Sequence, residues 1–184
     1  MTQYERMQKG LLYDPNDSEI IQMQLPFLDR LREFNQYLPS EVEKKEAYLK
    51  EVFAECGEGC YIEQPLRANW GGHHVHLGSN VYANFNLTLV DDGEIYIGDR
   101  VMIGPNVTIA TANHPINAEL RGRGLQYNRD VQIGDNTWIG ANTVIVPGVR
   151  IGKNCVIGAG SVVTKDIPAN VVAYGNPCRV EKEL

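Results

Sequence analysis

From Ile97 the chain divides into sixes: IGDRVM, IGPNVT, IATANH and, again from Ile133, IGDNTW, IGANTV, IVPGVR, IGKNCV, IGAGSV, VTKDIP and ANVVAY. In nearly every block an aliphatic residue comes first, Gly or another small residue follows, and Val, Thr or Cys tends to fill the fifth place. A fixed period this short predicts a solenoid of parallel β coils. The first residue points inward to stack on its counterparts above and below, and the small residue beside it lets the backbone turn a corner where a Cβ would be penalised. Residues 61–96 are a degenerate entry: LGSNVY from Leu77 and ANFNLT keep the period, LVDDGE keeps it loosely, and Ile95 and Tyr96 shift the frame. From Ile97 to Ile133 the frame is preserved, yet residues 115–130 (PINAELRGRGLQYNRD) have lost the signature. They read as a loop thrown out of the stack directly after His114, and long loops on a rigid scaffold are usually functional. The repeat ends after Gly175 in a charged tail.

Residues 1 to about 60 carry no sixfold pattern and read as helical. Asp14 before Pro15 looks like an N-cap and first helical residue, with Asp17 and Glu19 in the first turn. Ile21, Leu25, Leu28, Leu31, Phe34 and Leu38 then recur every three or four residues on one apolar face, with a kink or break expected at Pro26. Ser40 with Glu43 reads as a capping box for a further helix bearing Val42, Leu49 and Phe53, ended by Gly57 and Gly59. Such a segment would cover the open end of the solenoid, where an exposed coil would otherwise pair with other chains.

Composition narrows the function. At 184 residues, 43% hydrophobic and 22% charged, the chain reads as a globular domain with a small appendage. A net charge of -6 argues against nucleic acid or an anionic membrane as the main partner. No apolar run approaches membrane-spanning length, and MTQYERMQKG lacks the apolar core of a secretory signal. Four cysteines, with Cys155 in the inward fifth place of a coil, suit reduced thiols and a cytoplasmic setting.

His114 closes a coil and opens the loop, where an imidazole can act as a general base near neutral pH. Coils stack about 4.8 Å apart, so Asn84, Asp92 and His114 are expected to line one groove suited to a polyhydroxylated ligand. His73, His74 and His76 invite a metal reading, with His74 and His76 on one face of a strand. No Cys or carboxylate stands nearby at ligand spacing, so no metal is expected. Cys56 and Cys60 lack the second pair a zinc site needs. Trp138 must face outward, as a subunit or ligand contact or as surface cover. Lys165 and Arg179 are basic residues near the last coils that suit phosphates or a solvated face equally.

YANFNLTLVDD, IGPNVTIATANHPIN and the run from IGDNTW to NPCRV together resemble the hexapeptide-repeat acyltransferases, specifically the maltose/galactoside O-acetyltransferase branch; ERMQKGLLYDPNDSEI resembles that branch's helical N-terminal segment. The resemblance covers essentially the whole chain. It implies a mainly β fold, a left-handed parallel β-helix (hexapeptide-repeat solenoid), with a helical acetyltransferase-associated segment over 1–60 and the acyltransferase domain over 61–184 carrying the projecting loop 115–130. It further implies a homotrimer with active sites between subunits, acetyl-CoA as co-substrate, and direct transfer to a hydroxyl of a sugar in a ternary complex.

Carried over by position, His114 matches the catalytic base, Asn84 contacts base and acceptor, and the Ala141 N–H meets the oxyanion where the family often has Ser. Tyr82 and Asp92 match acceptor contacts, with Asp14 or Asp17 contributing from the helical segment and Glu119 orienting or polarising the histidine. Trp138, Ala141, Ala159, Thr164, Lys165 and Arg179 fall where the pantetheine arm and nucleotide phosphates lie. Two places depart from the family. Asn69 and Trp70 stand where an acidic or hydroxyl residue followed by Tyr-Gly is common, and Gln126 stands where a hydrophobic residue is frequent; both face the acceptor. Rival readings are an amine or antibiotic acceptor, a zinc-dependent γ-type carbonic anhydrase, which lacks a histidine at position 119, and a non-catalytic scaffold.

Overall fold

The computed structural model describes residues 1–184. Helices α1 (Gln3–Gln8), α2 (Ser18–Phe34) and α3 (Val42–Val52) come first, and a short α4 (Ala118–Gly122) lies in the loop. Between and after them the chain winds through two- and three-residue strands into three parallel faces. Face one stacks Glu55–Cys56, Val75–Leu77, Ile95–Ile97, Val131–Ile133 and Arg150–Ile151. Face two stacks Tyr61–Ile62, Tyr82–Ala83, Met102–Ile103, Trp138–Ile139 and Val156–Ile157, then closes on the antiparallel ribbon Val171–Gly175 with Cys178–Glu183. Face three stacks Arg67–Ala68, Thr88–Val90, Thr108–Ala110, Val144–Ile145 and Val162–Val163.

The hexads map directly onto these faces. Leu77, Ile97, Ile133 and Ile151 stand in register on face one, as Ile103, Ile139 and Ile157 do on face two, and all are buried. Inward hydroxyls and thiols find carbonyl acceptors: Thr137 Oγ1 donates to Gly152 O at 3.0 Å, Thr143 Oγ1 to Gly140 O at 2.8 Å and Cys155 Sγ to Pro168 O at 3.1 Å. These three inward groups are thereby paired within the coil stack. Asn80, Asn136, Asn142 and Asn154 take the left-handed conformation at the corners, where an Asn side chain tolerates positive φ better than most. Ile97 pairs directly with Ile133, so everything between them makes a single turn. The loop consumes one coil's worth of sequence, which is why the frame survives it.

The first coil starts earlier than the hexads indicate. Glu55–Cys56 already pairs with face one, and Gly57 and Gly59 turn its first corner rather than ending a helix. Asp17, not Asp14, is the N-cap of α2, accepting from Glu19 N–H at 3.0 Å; Asp14 closes a tight turn on Asn16 N–H at 2.9 Å. α2 runs unbroken through Pro26, which sits with Gln22 on the exposed side, where water can take the carbonyl left without a donor. Its inward face is Ile20, Phe27, Leu31 and Phe34, while Ile21, Leu25 and Leu38 are exposed. α3 starts after Glu41, and Ser40 does not cap it: Glu41 is held by Lys44 and by Leu38 N–H at 2.7 Å. Tyr48, Leu49 and Val52 of α3 join Leu31 and Phe34 over Ile62 and Leu66, closing the open end of the coil stack in one hydrophobic core. No helix is long and apolar enough to cross a membrane.

Candidate active site

The turns from face three back to face one form an edge, here the third corner, that carries most of the singled-out polar residues. Asn69 follows Arg67–Ala68, Asp91 and Asp92 follow Thr88–Val90, and Thr111 to His114 follow Thr108–Ala110. The loop leaves and returns on an antiparallel pair, Ala112–Asn113 with Tyr127–Asn128, and α4 is capped by Asn117, whose Oδ1 accepts from Leu120 N–H at 3.1 Å. The loop is therefore folded, and it lies back against the corner so that Gln126 and Asn128 are buried.

Asp92 sits at the centre. Its Oδ2 accepts from Asn69 Nδ2 at 2.7 Å, its Oδ1 from Gln126 Nε2 at 3.4 Å and its backbone oxygen from Asn128 Nδ2 at 2.8 Å. Gln126 also donates to the hydroxyl of Tyr13, which in turn donates to Asn128 Oδ1 at 3.3 Å. Backbone hydrogen bonds between Tyr13 and Gln126 tie the helical segment to the loop. Behind this layer the fully buried Asp91 accepts from Trp70 N–H at 2.8 Å and Gly72 N–H at 2.9 Å, fixing the turn that presents Asn69. Burial pushes the Asp91 carboxyl up to about 6, against the opposing pull of those two N–H groups.

His114 is exposed at the mouth of the loop, and its Nδ1 lies 3.0 Å from Leu125 O. A carbonyl can only accept, so Nδ1 carries the proton and Nε2 is left as a free lone pair. The orienting contact is therefore Leu125. Glu119, expected to orient the histidine, makes no hydrogen bond or ion pair with it and lies exposed on α4.

Asn84 stands elsewhere. With Tyr82 and Ala141 it belongs to the face-two side and the second corner, between faces two and three, so the expectation that Asn84, Asp92 and His114 line one groove of a single chain does not hold. A whole face separates them, because the third place of each eighteen-residue coil is a different edge of the prism. Asn84 Oδ1 accepts from Phe85 N–H at 2.8 Å, which turns its NH₂ outward. In the same column the Ala141 N–H has no acceptor within the chain. A Cβ at Gly104 would lie 2.7 Å from Ala141 N, and one at Gly140 would lie 2.5 Å from Ala159 N. These coils are pressed together, backbone on backbone, along this edge. Trp138 stands beside it, 52% exposed. Thr164 and Lys165 lie exposed on the third corner two coils beyond His114, and Arg179 is exposed on the terminal ribbon. Asp17 is committed as a helix cap, and Asp14 to its own turn.

The three histidines have separate structural roles. His73 stacks on Phe27 at 4.0 Å, and burial followed by the neighbouring His74 lowers its pKa. His74 is buried at the corner, with Nδ1 donating to Asp91 O at 2.7 Å. His76 points outward between Glu55 and Glu94, at 3.1 and 2.8 Å, stacked on Tyr96. His74 and His76 thus do not share a face. Tyr13, Asp91, Leu125 and Asn128 were missed from sequence. Asp91 had a signal in the VDD string; the others act through contacts spanning up to 121 positions, which no local pattern records.

Residues 130–165 match the bacterial transferase hexapeptide (six repeats) description, and residues 6–57 match the maltose acetyltransferase hexapeptide capping motif. The chain is 53% identical over 181 residues to a galactoside O-acetyltransferase of Lactococcus lactis subsp. lactis, covering 98% of this chain and 87% of that protein. It is 49% identical to the galactoside O-acetyltransferase of Escherichia coli K12, covering 100% and 90%. Among solved structures it matches a maltose O-acetyltransferase from Clostridium difficile 630 with TM-score 0.98 and 47% identity, covering 100% and 98%. A galactoside acetyltransferase in complex with coenzyme A matches with TM-score 0.94 and 49% identity, covering 100% and 91%. The chain belongs to the bacterial transferase hexapeptide family, in the branch that carries the maltose acetyltransferase capping motif.

Proposed function

We propose that this acetyltransferase moves the acetyl group of acetyl-CoA to a hydroxyl of a sugar, by direct attack in a ternary complex with His114 as general base. The observation that carries the reading is the contact of Nδ1 with Leu125 O at 3.0 Å: a carbonyl only accepts, so Nδ1 donates and the neutral ring keeps Nε2 to take the proton of an acceptor hydroxyl as its oxygen attacks the thioester carbonyl. The unpaired Ala141 N–H is suited to meet the oxyanion that develops on that carbonyl. Collapse breaks the carbon–sulfur bond, and the imidazolium returns its proton to the departing thiolate. No cysteine or serine hydrogen-bonds to His114, which favours direct transfer over a covalent acyl-enzyme.

The donor side fits the residues present. Trp138 offers a flat apolar wall beside the second-corner edge, along which a thin pantetheine arm would lie. Lys165 and Arg179 supply cations for nucleotide phosphates, in a chain that is otherwise acidic.

Because His114 and Asn84 stand at different corners, a site that uses both is built from two chains. We read the assembly as a homotrimer, with active sites between subunits. The apolar groups at this surface support it: Tyr82, Met102, Trp138 and Val144 are all more than a third exposed, and Ile116 at the loop tip is 94% exposed. On this reading residues 1–60 cap a catalytic solenoid of 61–184, and the enzyme works in the cytoplasm, where its four free cysteines stay reduced.

The test is thiol release from acetyl-CoA with a sugar panel, for the wild type and His114→Ala. The expected result is a fall in kcat of about 10²- to 10⁴-fold with an unchanged circular dichroism spectrum. A His114→Ala variant with wild-type turnover would sink the mechanism.

A further inference from the structure

The seam between α3 and the first coil buries a charge that nothing in the chain answers. Lys45 is only 3% exposed, and lysine is rarely buried to that degree without a counterion. Its ammonium donates to the Tyr61 hydroxyl at 3.2 Å and lies 5.4 Å from the centre of the Tyr61 ring. No carboxylate pairs with it, and neighbouring acids are taken by other lysines: Glu41 is held by Lys44 at 2.5 Å and Glu58 by Lys50 at 2.6 Å. Because the Tyr61 oxygen accepts from Lys45, its own proton is left over, and no acceptor in the chain takes it. The remaining N–H bonds of the ammonium are likewise unspent. These donors border a cavity of about 230 Å³, with Val42, Leu49 and Ile62 forming apolar walls.

We propose that this cavity binds a small carboxylate with a short apolar body, a monoanion of the size of propionate, whose oxygens accept from Lys45 and Tyr61. Its residues are assigned to neither substrate of the acetyl transfer, and the inference stands apart from that reading. A carboxylate supplies what is missing: a negative charge for the buried cation, and lone pairs for donors that have no acceptor. The apolar walls suit its hydrocarbon part, and the volume falls below the range of about 300–1,000 Å³ common for larger organic ligands. A phosphate dianion fits less well. It brings a double charge to a single ammonium, sets no apolar surface against the walls, and meets Glu46, the one acid lining the cavity.

The measurement is thermal unfolding of the full chain, titrated with sodium propionate and, at matched ionic strength, with sodium chloride or inorganic phosphate. The wild-type midpoint is expected to rise with propionate concentration, as a ligand bound only by the folded state requires, and far less with chloride or phosphate. Lys45→Met keeps the length of the side chain without its charge. It is expected to fold at least as stably as the unliganded wild type, since it removes an unpaired buried cation, and to bind propionate about tenfold or more weakly. Tyr61→Phe, which deletes only the hydroxyl, is expected to weaken propionate about three- to tenfold. No propionate-dependent rise in the wild type overturns the proposal, as does an equal rise with chloride or a stronger response to phosphate. Propionate affinity left unchanged by Lys45→Met or, should that variant fail to fold, by Tyr61→Phe overturns it too.

Discussion

Replacing Gly152 by Ala tests the physical reason for the hexapeptide pattern itself. A Cβ at Gly152 would lie 2.4 Å from Ala169 N, 2.6 Å from Ala169 Cα and 2.9 Å from Pro168 C. Ordinary contact begins at 3.4 Å, so the next coil must retreat by about 1 Å, and all three obstacles are backbone atoms that cannot swing aside. The coils are clamped at this edge by Gly152 N–H to Ile167 O, Ile167 N–H to Arg150 O and Asn170 N–H to Lys153 O, each at 2.9 Å. A retreat of about 1 Å takes at least one of these beyond hydrogen-bonding range. Overpacking of about 1–3 kcal/mol and a stranded backbone group of about 1–3 kcal/mol then combine to roughly 2–6 kcal/mol of destabilisation. Gly122→Ala is the matched control: nothing lies within 4 Å of its Cβ, it ends α4, and reduced chain entropy should stabilise by about 0.4–1 kcal/mol. Urea denaturation at fixed protein concentration reads both variants, with the slope confirming that the midpoint shift is a change in stability. A Gly152→Ala protein within about 0.5 kcal/mol of wild type at unchanged slope would refute the claim that coil spacing, rather than turn conformation, demands glycine there.

Two further outcomes are expected. On the proposed trimeric arrangement, co-expressing His114→Ala with Asn84→Ala, each nearly inactive alone, should restore activity toward about one quarter of wild type, the share of interfaces in randomly mixed trimers that unite both intact residues; activity no greater than the two single variants would place both residues in one chain's site. Asp91 has a folded-state pKa of about 6, raised above its ordinary value of 3.8, so the folded protein holds a proton that the unfolded chain releases. That contribution is fully present below about pH 4 and is lost as pH rises through 6, which amounts to about 3 kcal/mol of stability. Asp91→Asn should flatten the difference in urea midpoint between pH 4.5 and 7, and an identical pH profile in the two proteins would count against the buried carboxyl.

The coil architecture was legible because it is written in a local, repeated requirement. Each inward Ile or Val and each small corner residue answers to the coil directly above and below, so the rule recurs every six positions and can be read without knowing the fold. The outward bulk of Trp138 and the excluded loop after His114 followed from the same period. Local signals served the helices less well. Asp14, Ser40 and the stripe through Ile21 and Leu25 satisfy capping and periodicity rules, yet the docking of α2 and α3 onto Ile62 and Leu66 selected Asp17, Glu41 and the Ile20 face instead. Tertiary packing overrides propensities that differ by a few tenths of a kcal/mol between neighbouring positions.

The residues of the candidate site could be named from sequence, but not their grouping. A prism with three edges sends Asn84 and His114 to different corners, although they lie one coil and a half apart in sequence. Only the winding of the chain decides which edge each reaches. The hold of Leu125 O on His114 and the hydrogen-bonded cluster around Asp92 likewise depend on the loop returning to meet Tyr13, a contact between residues more than a hundred positions apart. Sequence alone determined the repeat and the inventory of chemical groups, because both rest on nearest-coil contacts and residue identity. The tertiary structure decided which groups face one another and which hydrogen bonds they have left to offer, because that depends on closure of long segments that no local period encodes.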